Sequence, residues 1–162
     1  MTSFDDQVLR RAFGSFATGV CLVAIYKDGD PIAITVNSFS SVSLEPPMVL
    51  WCIQNELSIS HAYQSCDQFS INVLSESQVD LSNIYSQEGQ NDLALEHMDS
   101  DRSQVPLIKD VLVQYICVTD RTIGCGDHTI ILGKVNEIYF CDPTGRPLLF
   151  HGGSYVSLDY SH

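Results

Sequence analysis

Two β-rich runs, Cys21-Leu22-Val23-Ala24-Ile25-Tyr26 and Pro31-Ile32-Ala33-Ile34-Thr35-Val36, flank Lys27-Asp28-Gly29-Asp30. Asp-Gly between apolar runs marks a tight hairpin turn, whose central residues need the left-handed backbone that Asp tolerates and Gly adopts freely. A hairpin commits the chain to antiparallel pairing. Four further runs share the β pattern: residues 48–53 after Pro46-Pro47, residues 69–74, and the long runs 111–122 and 129–140 joined by Ile123-Gly124-Cys125-Gly126-Asp127-His128. The prolines can start a strand but not occupy its centre. Asp142-Pro143-Thr144-Gly145 carries the chemistry of another tight turn.

Helical signals are shorter. Ser3 is placed to cap a first helix in which Phe4, Val8, Leu9, Ala12, Phe13 and Phe16 recur at helical spacing, with Thr18-Gly19 ending it. Residues 58–65, capped by Ser58, and residues 76–85 read as two more short helices. Residues 37–43 read as a polar connection. Residues 86–103 are acid-rich with little period, an exposed loop or lid long enough to be functional. Strands outnumber helices without alternating with them, so the class is mainly β.

At 162 residues the chain reads as a single domain, 1–162, with no repeat or linker. The 8 Lys and Arg face 20 Asp and Glu, a net charge of -12 that repels nucleic acid and anionic lipid. No apolar run approaches the roughly 20 residues of a membrane span, and Asp5-Asp6 is unlike a signal peptide, so a cytoplasmic protein is expected. Cys21, Cys52, Cys66, Cys117, Cys125 and Cys141 form no C-x-x-C pair. They read as reduced core or near-core residues, a disulfide framework being the alternative.

Neither a G-x-G-x-x-G fingerprint nor a phosphate-binding G-x-x-x-x-G-K-[ST] loop occurs. Thr35-Val36-Asn37-Ser38-Phe39-Ser40-Ser41-Val42-Ser43 instead sets hydroxyls, amides and backbone N–H groups at a strand end, suited to a polar ring edge or a phosphate. Taken alone, the row reads first as a connection whose side chains satisfy their own backbone, ahead of a ligand-binding row. His128 is either a turn histidine or a functional one. No ligand spacing supports a metal site from His128, His151 and a cysteine, so none is expected. His61, His97 and His162 show no pattern and read as surface or packing residues.

The serine row also carries a resemblance. Leu9-Arg10-Arg11-Ala12-Phe13-Gly14-Ser15-Phe16-Ala17-Thr18-Gly19-Val20, then Thr35 through Pro47, Phe69-Ser70-Ile71-Asn72-Val73-Leu74, Gly126-Asp127-His128 with Leu132-Gly133-Lys134-Val135, and Pro147-Leu148-Leu149-Phe150-His151 with Tyr155 occur in order. Together they resemble the flavin reductase-like proteins with an FMN-binding split barrel. These supply reduced flavin to two-component monooxygenases. The resemblance implies a six-stranded antiparallel split β-barrel with a few short helices, usually a homodimer, with flavin at the dimer interface. By position it implies Thr35, Val36, Asn37 and Ser38 along the isoalloxazine and ribityl chain, with Ser41 and Ser43 nearby. It further implies Cys52, Ile53 and Gln54 bordering the groove and Ser58 near the phosphate. His128 and Tyr155 would meet the nicotinamide.

The activity implied is hydride transfer from NADH or NADPH to FMN or FAD, which requires stacked rings and no protein nucleophile. A flavin-binding protein or an oxidase-like relative without reductase turnover is the alternative, and a flavin-free scaffold a third. Relatives often carry basic residues after the second helix, where this chain has Gln87-Glu88-Gly89-Gln90-Asn91-Asp92. Scarce positive charge leans towards NADH, with Arg102 or Arg121 the candidates for a phosphate contact.

Overall fold

The computed structural model describes residues 4–99 and 103–159. Ser3, Arg102 and His162 lie outside the described residues. The chain runs α1 (Asp6–Gly14), β1 (Thr18–Gly19), β2 (Cys21–Lys27), β3 (Asp30–Val36), β4 (Ser40–Leu44) and β5 (Pro47–Gln54). There follow α2 (Ser60–Ser65), β6 (Gln68–Val73), a 3-10 turn at Glu76–Gln78, α3 (Val79–Tyr85), a second 3-10 turn at Leu95–His97, β7 (Met98–Asp99) and β8 (Leu107–Ile108). The long strands β9 (Val113–Cys125) and β10 (His128–Phe140) precede β11 (Leu149–His151) and β12 (Ser154–Val156). No helix among the described residues is long and apolar enough to cross a membrane.

The main sheet is antiparallel in the order β3-β2-β6-β9-β10-β5-β4, bent into a split barrel. All six expected strands are in it. The seventh, β4, is where a polar connection was expected. It pairs along the edge of β5, Ser40 opposite Leu50 and Ser41 opposite Val49, with a register shift before Ser43. Most of β4 is exposed, so no buried face imposes apolar alternation on its sequence.

The turns follow the residues. Lys27 pairs with Asp30 across Asp28 (φ 53°) and Gly29 (φ 93°), the two left-handed centres that the Asp-Gly signal requires. Cys125 pairs with His128 across Gly126-Asp127, with Gly126 at φ 62°. That two-residue link sets Cys125 and His128 side by side at the barrel mouth.

β2 is buried on both faces, which explains its continuous apolar run. Val23 and Ile25 join one core with Trp51, Tyr63 and Phe69, whose Trp51 ring meets Tyr63 and Phe69 edge-on at 5.4 and 5.9 Å. The Tyr63 hydroxyl donates to the Val23 carbonyl at 3.0 Å. Leu22 and Ala24 face a second core with Leu74, Tyr85, Leu93 and Ile108. On β10 a Cβ at Gly133 would stand 2.5 Å from Phe69 Cζ, so only glycine lets that ring pack there.

Several local expectations need correction. α1 is capped by Asp5, whose carboxylate accepts from the Gln7 N–H at 2.8 Å, and it stops at Ser15. Thr18 and Gly19 belong to β1, paired with Phe150 and Leu149. The helical spacing of α1 is correct, but its Val8 and Phe13 are 56% and 73% exposed, as is Phe16 just beyond it at 77%, so this apolar face finds no cover among the described residues. α2 starts at Ser60 with Ile59 in the cap position, so Ser58 caps nothing. Of the expected loop 86–103, residues 100–102 lie outside the described residues, and the part from 86 to 99 is not simply exposed. Asn91 and Leu93 are buried, and the Ala33 and Leu93 N–H groups donate to the Asn91 and Pro31 carbonyls at 2.8 and 2.9 Å. This segment covers the free edge of β3, which would otherwise be unpaired. All six cysteines are free, yet Cys125 and Cys141 are exposed, outside the core expected for them.

Candidate functional site

β3 emerges from the core and ends at the barrel mouth, where Thr35, Val36, Asn37 and Ser38 line a cavity of about 540 Å³. Cys52, Ile53 and Gln54 at the end of β5 and His128 at the start of β10 line the same space. Their convergence follows from register, since His128 pairs with Gln54 and Ile130 with Cys52. Side chains two apart on one strand share a face, so Cys52, Gln54, His128 and Ile130 form one wall, while Ile53 between them points into the core and only borders the cavity.

The opposite wall comes from the end of α3 and the turn after it: Tyr85, Ser86, Gln87, Glu88 and Asn91. Gln87, Glu88 and Asn91 belong to the acidic stretch that stands where relatives often carry basic residues, whereas Tyr85 and Ser86 carry no sequence signal for the site. A second cavity of about 370 Å³ shares Thr35, Val36, Asn37 and Ser86 and is walled by Phe150 and Tyr155. A third, about 460 Å³, shares Asn37 and Ser38 and is bounded by Phe16 and Thr18. Asn37 therefore borders all three. Ser41, Ser43 and Ser58 line none of them.

The hydrogen bonds divide the serine row into two kinds of residue. Ser38 Oγ accepts from Cys52 N at 2.9 Å and donates to Cys52 O at 3.2 Å. The β4–β5 ladder stops at Ser40 opposite Leu50, so this one hydroxyl closes the next open position of β5. Thr35 Oγ1 donates to the Ser82 carbonyl at 2.8 Å, and Ser40 Oγ to Ser41 O at 3.2 Å. These hydroxyls are spent on backbone, as the plainer interpretation of the row expected. Asn37 and Gln54 are exposed at the mouth, and neither side-chain amide bonds to any described residue.

Tyr155 Oη lies 2.8 Å from Ser82 Oγ and donates to Asn83 Oδ1 at 3.2 Å, which ties the last strand to α3. His128 Nδ1 sits 2.8 Å from Asp127 Oδ1 in the hairpin turn. That hydrogen bond, then the charge of the imidazole, holds the Asp127 carboxyl below its ordinary range. Burial pushes the Cys52 thiol up, with Cys125 nearby adding to the shift, so Cys52 is a neutral wall rather than a nucleophile.

Charge is scarce at the site. Glu88 is the one acidic side chain lining the three cavities among the described residues, and no Lys or Arg lines them. Arg121, a candidate phosphate contact, instead pairs with Asp120 at 2.9 Å, and Lys134 binds the same carboxylate at 3.0 Å. Among the described residues no group of three or more His, Cys, Asp or Glu is placed to hold a metal.

A family model described as the flavin reductase like domain matches residues 13–159. A probable flavin reductase of Rhizobium meliloti (strain 1021) is 41% identical over 82% of this chain and 43% of that protein. The FMN reductase (NADH) SmoA of Agrobacterium fabrum (strain C58 / ATCC 33970) is 40% identical over 93% of this chain and 85% of its own length. The chain spans about half the length of the first two curated relatives it matches. Among solved structures, the NADH:FAD oxidoreductase SgcE6 of Streptomyces globisporus C-1027 superposes with a TM-score of 0.88 at 30% identity, covering 100% of this chain and 99% of that one. The order of motifs, the split barrel and these matches agree, and the chain belongs to the flavin reductase-like family.

Proposed function

We propose that this chain is an NAD(P)H:flavin oxidoreductase that passes a hydride from NADH to FMN or FAD. It acts in the cytoplasm as a homodimer of single split-barrel domains and supplies reduced flavin to a partner monooxygenase. The observation that carries this is the convergence at Asn37, where three cavities meet beside two unbonded amides and an apolar wall. A polar-edged planar ring and a second planar ring beside it suit such a cleft.

The residues present fit a flavin. Ile34, Val36, Ile53 and Ile130 offer apolar surface, while the Asn37 and Gln54 amides can each donate and accept at a ring edge. When bound, the flavin supplies the electron-accepting chemistry, which no side chain of this cleft provides. The protein's work is positional. Thr35 and Ser38 fix the backbone on either side of Asn37 through Ser82 and Cys52, so the amide is presented without reorganisation. The apolar wall excludes water. His128 and Tyr155 are the candidates for the nicotinamide side, one at each end of the combined cleft. Ser41, Ser43 and Ser58 stand outside the proposed contacts. The exposed Phe13 of α1 and Phe16 just beyond its end supply apolar surface for a second copy of the chain.

The test is an anaerobic mixture of the purified chain, FMN or FAD, and NADH or NADPH, followed in the visible flavin band. Protein-dependent bleaching, matched by loss of reduced nicotinamide, is the expected outcome. Tight flavin binding without bleaching would convert the reading to a flavin-binding or oxidase-like protein.

A further inference from the structure

The charge at the cleft is inverted relative to what a phosphate-bearing ligand needs. Glu88 sits in the turn after α3 and lines the 540 Å³ cavity opposite Gln54 and His128, and no lysine or arginine offsets it among the described lining residues. The cations nearest in kind are engaged elsewhere. Arg121 and Lys134 share Asp120, while Arg146 lies 3.9 Å from Glu76 and Lys109 donates to the Glu96 carbonyl, both lining a different cavity. With a net charge of -12 the whole surface adds to the same field.

We infer that Glu88 is a specificity-determining residue that selects against a phosphate monoester at this cleft. The inference rests on the flavin reductase assignment above. Its consequence is that flavin is held through its uncharged ring and ribityl portions, so a flavin without phosphate binds as well as one with it. The same carboxylate disfavours the extra phosphate of NADPH if the nicotinamide dinucleotide places it there. Two like charges a few ångströms apart in a partly enclosed cleft repel far more than in bulk water, and the repulsion fades with added salt.

The experiment measures riboflavin and FMN affinity by flavin fluorescence, and KM for NADH and NADPH, on the native chain, Glu88→Gln and Glu88→Lys. Glu88 is exposed in a turn, so neither change threatens the fold. The native chain is expected to bind riboflavin and FMN within about threefold of each other. Glu88→Lys tightens FMN by about tenfold without altering riboflavin, Glu88→Gln gives a smaller gain, and both gains shrink at high salt. A shift confined to FMN identifies the flavin phosphate as the group opposed, and one confined to NADPH identifies the nucleotide phosphate. If neither ratio moves, or the native chain prefers FMN by tenfold or more, the role of Glu88 is overturned while the flavin site stands. If no flavin binds to any of the three proteins, the reductase assignment itself has failed.

Discussion

Ser38→Ala separates residues that hold the site from residues that touch the ligand. The Ser38 hydroxyl accepts from Cys52 N and donates to Cys52 O, taking the place of a strand partner at the end of β5. Removing it leaves a backbone donor and acceptor without partners, a cost of about 1–3 kcal/mol when fully buried. Cys52 is only partly buried and borders an open cavity, so water relieves some of this, and a loss of about 1–1.5 kcal/mol is expected. The loosened segment must also be re-ordered around the flavin, costing about 1 kcal/mol, or roughly fivefold in affinity. Asn37→Ala is the control. Its amide has no protein partner, so stability stays within about 0.5 kcal/mol. Its flavin affinity falls by about three- to tenfold through loss of one ligand hydrogen bond. Urea unfolding gives the first quantity and fluorescence titration the second. An unchanged unfolding midpoint for Ser38→Ala would refute the claim that its hydroxyl completes β5.

Gly133→Ala sets a methyl against the Phe69 ring and 3.2 Å from Cys117 Cβ in a rigid core, and is expected to lower stability by about 2–3 kcal/mol in chemical denaturation. Burial pushes the Cys21 and Cys117 thiols from 9.0 up to about 12. Folded pKa values raised in this way mean stability is intact below about pH 9 and is lost as pH rises towards 12, and Cys21→Ala with Cys117→Ala should flatten that alkaline loss. A thiol reagent at neutral pH should label Cys125 in the folded chain and reach Cys21 and Cys117 only on unfolding. Hydrogen bonds from Lys134 and then Arg121 hold the Asp120 carboxyl below its ordinary range, so its contribution is present above that range and disappears as pH falls through the lowered value. Asp120→Asn should therefore reduce the acid-side slope of stability against pH, by a small amount because both of its cationic partners, Arg121 and Lys134, are exposed to solvent.

The barrel was legible because its strands carry strong local signals. Asp28-Gly29 and Gly126-Asp127 hold the backbone their turns demand, and β2, buried on both faces, shows an unbroken apolar run. β4 was missed because an exposed edge strand of Ser40, Ser41 and Ser43 has no buried face to imprint a pattern. Half of the site, residues 35–38 with 52–54 and His128, came from ordered motifs and is brought together by pairing register. The other half, Tyr85 to Asn91, was hidden because its position depends on the segment folding back along β3, a long-range event fixed by the Asn91 amide donating to the Ala33 carbonyl at 3.0 Å. Ser58 failed as a cap because helix starts shift by one or two residues without changing the apolar pattern behind them. The apolar face of α1 was read correctly as a helix but not as an exposed one, since periodicity reports a face and not what covers it.

The central claim is best tested by a crystal structure of the chain soaked with FMN or riboflavin. The account predicts ring density in the cleft between Asn37 and the Gln54–His128 wall, within hydrogen-bond reach of at least one of the two unbonded amides. Density instead in the cavity lined by Lys109 and Arg146, with the Asn37 cleft empty, would contradict it.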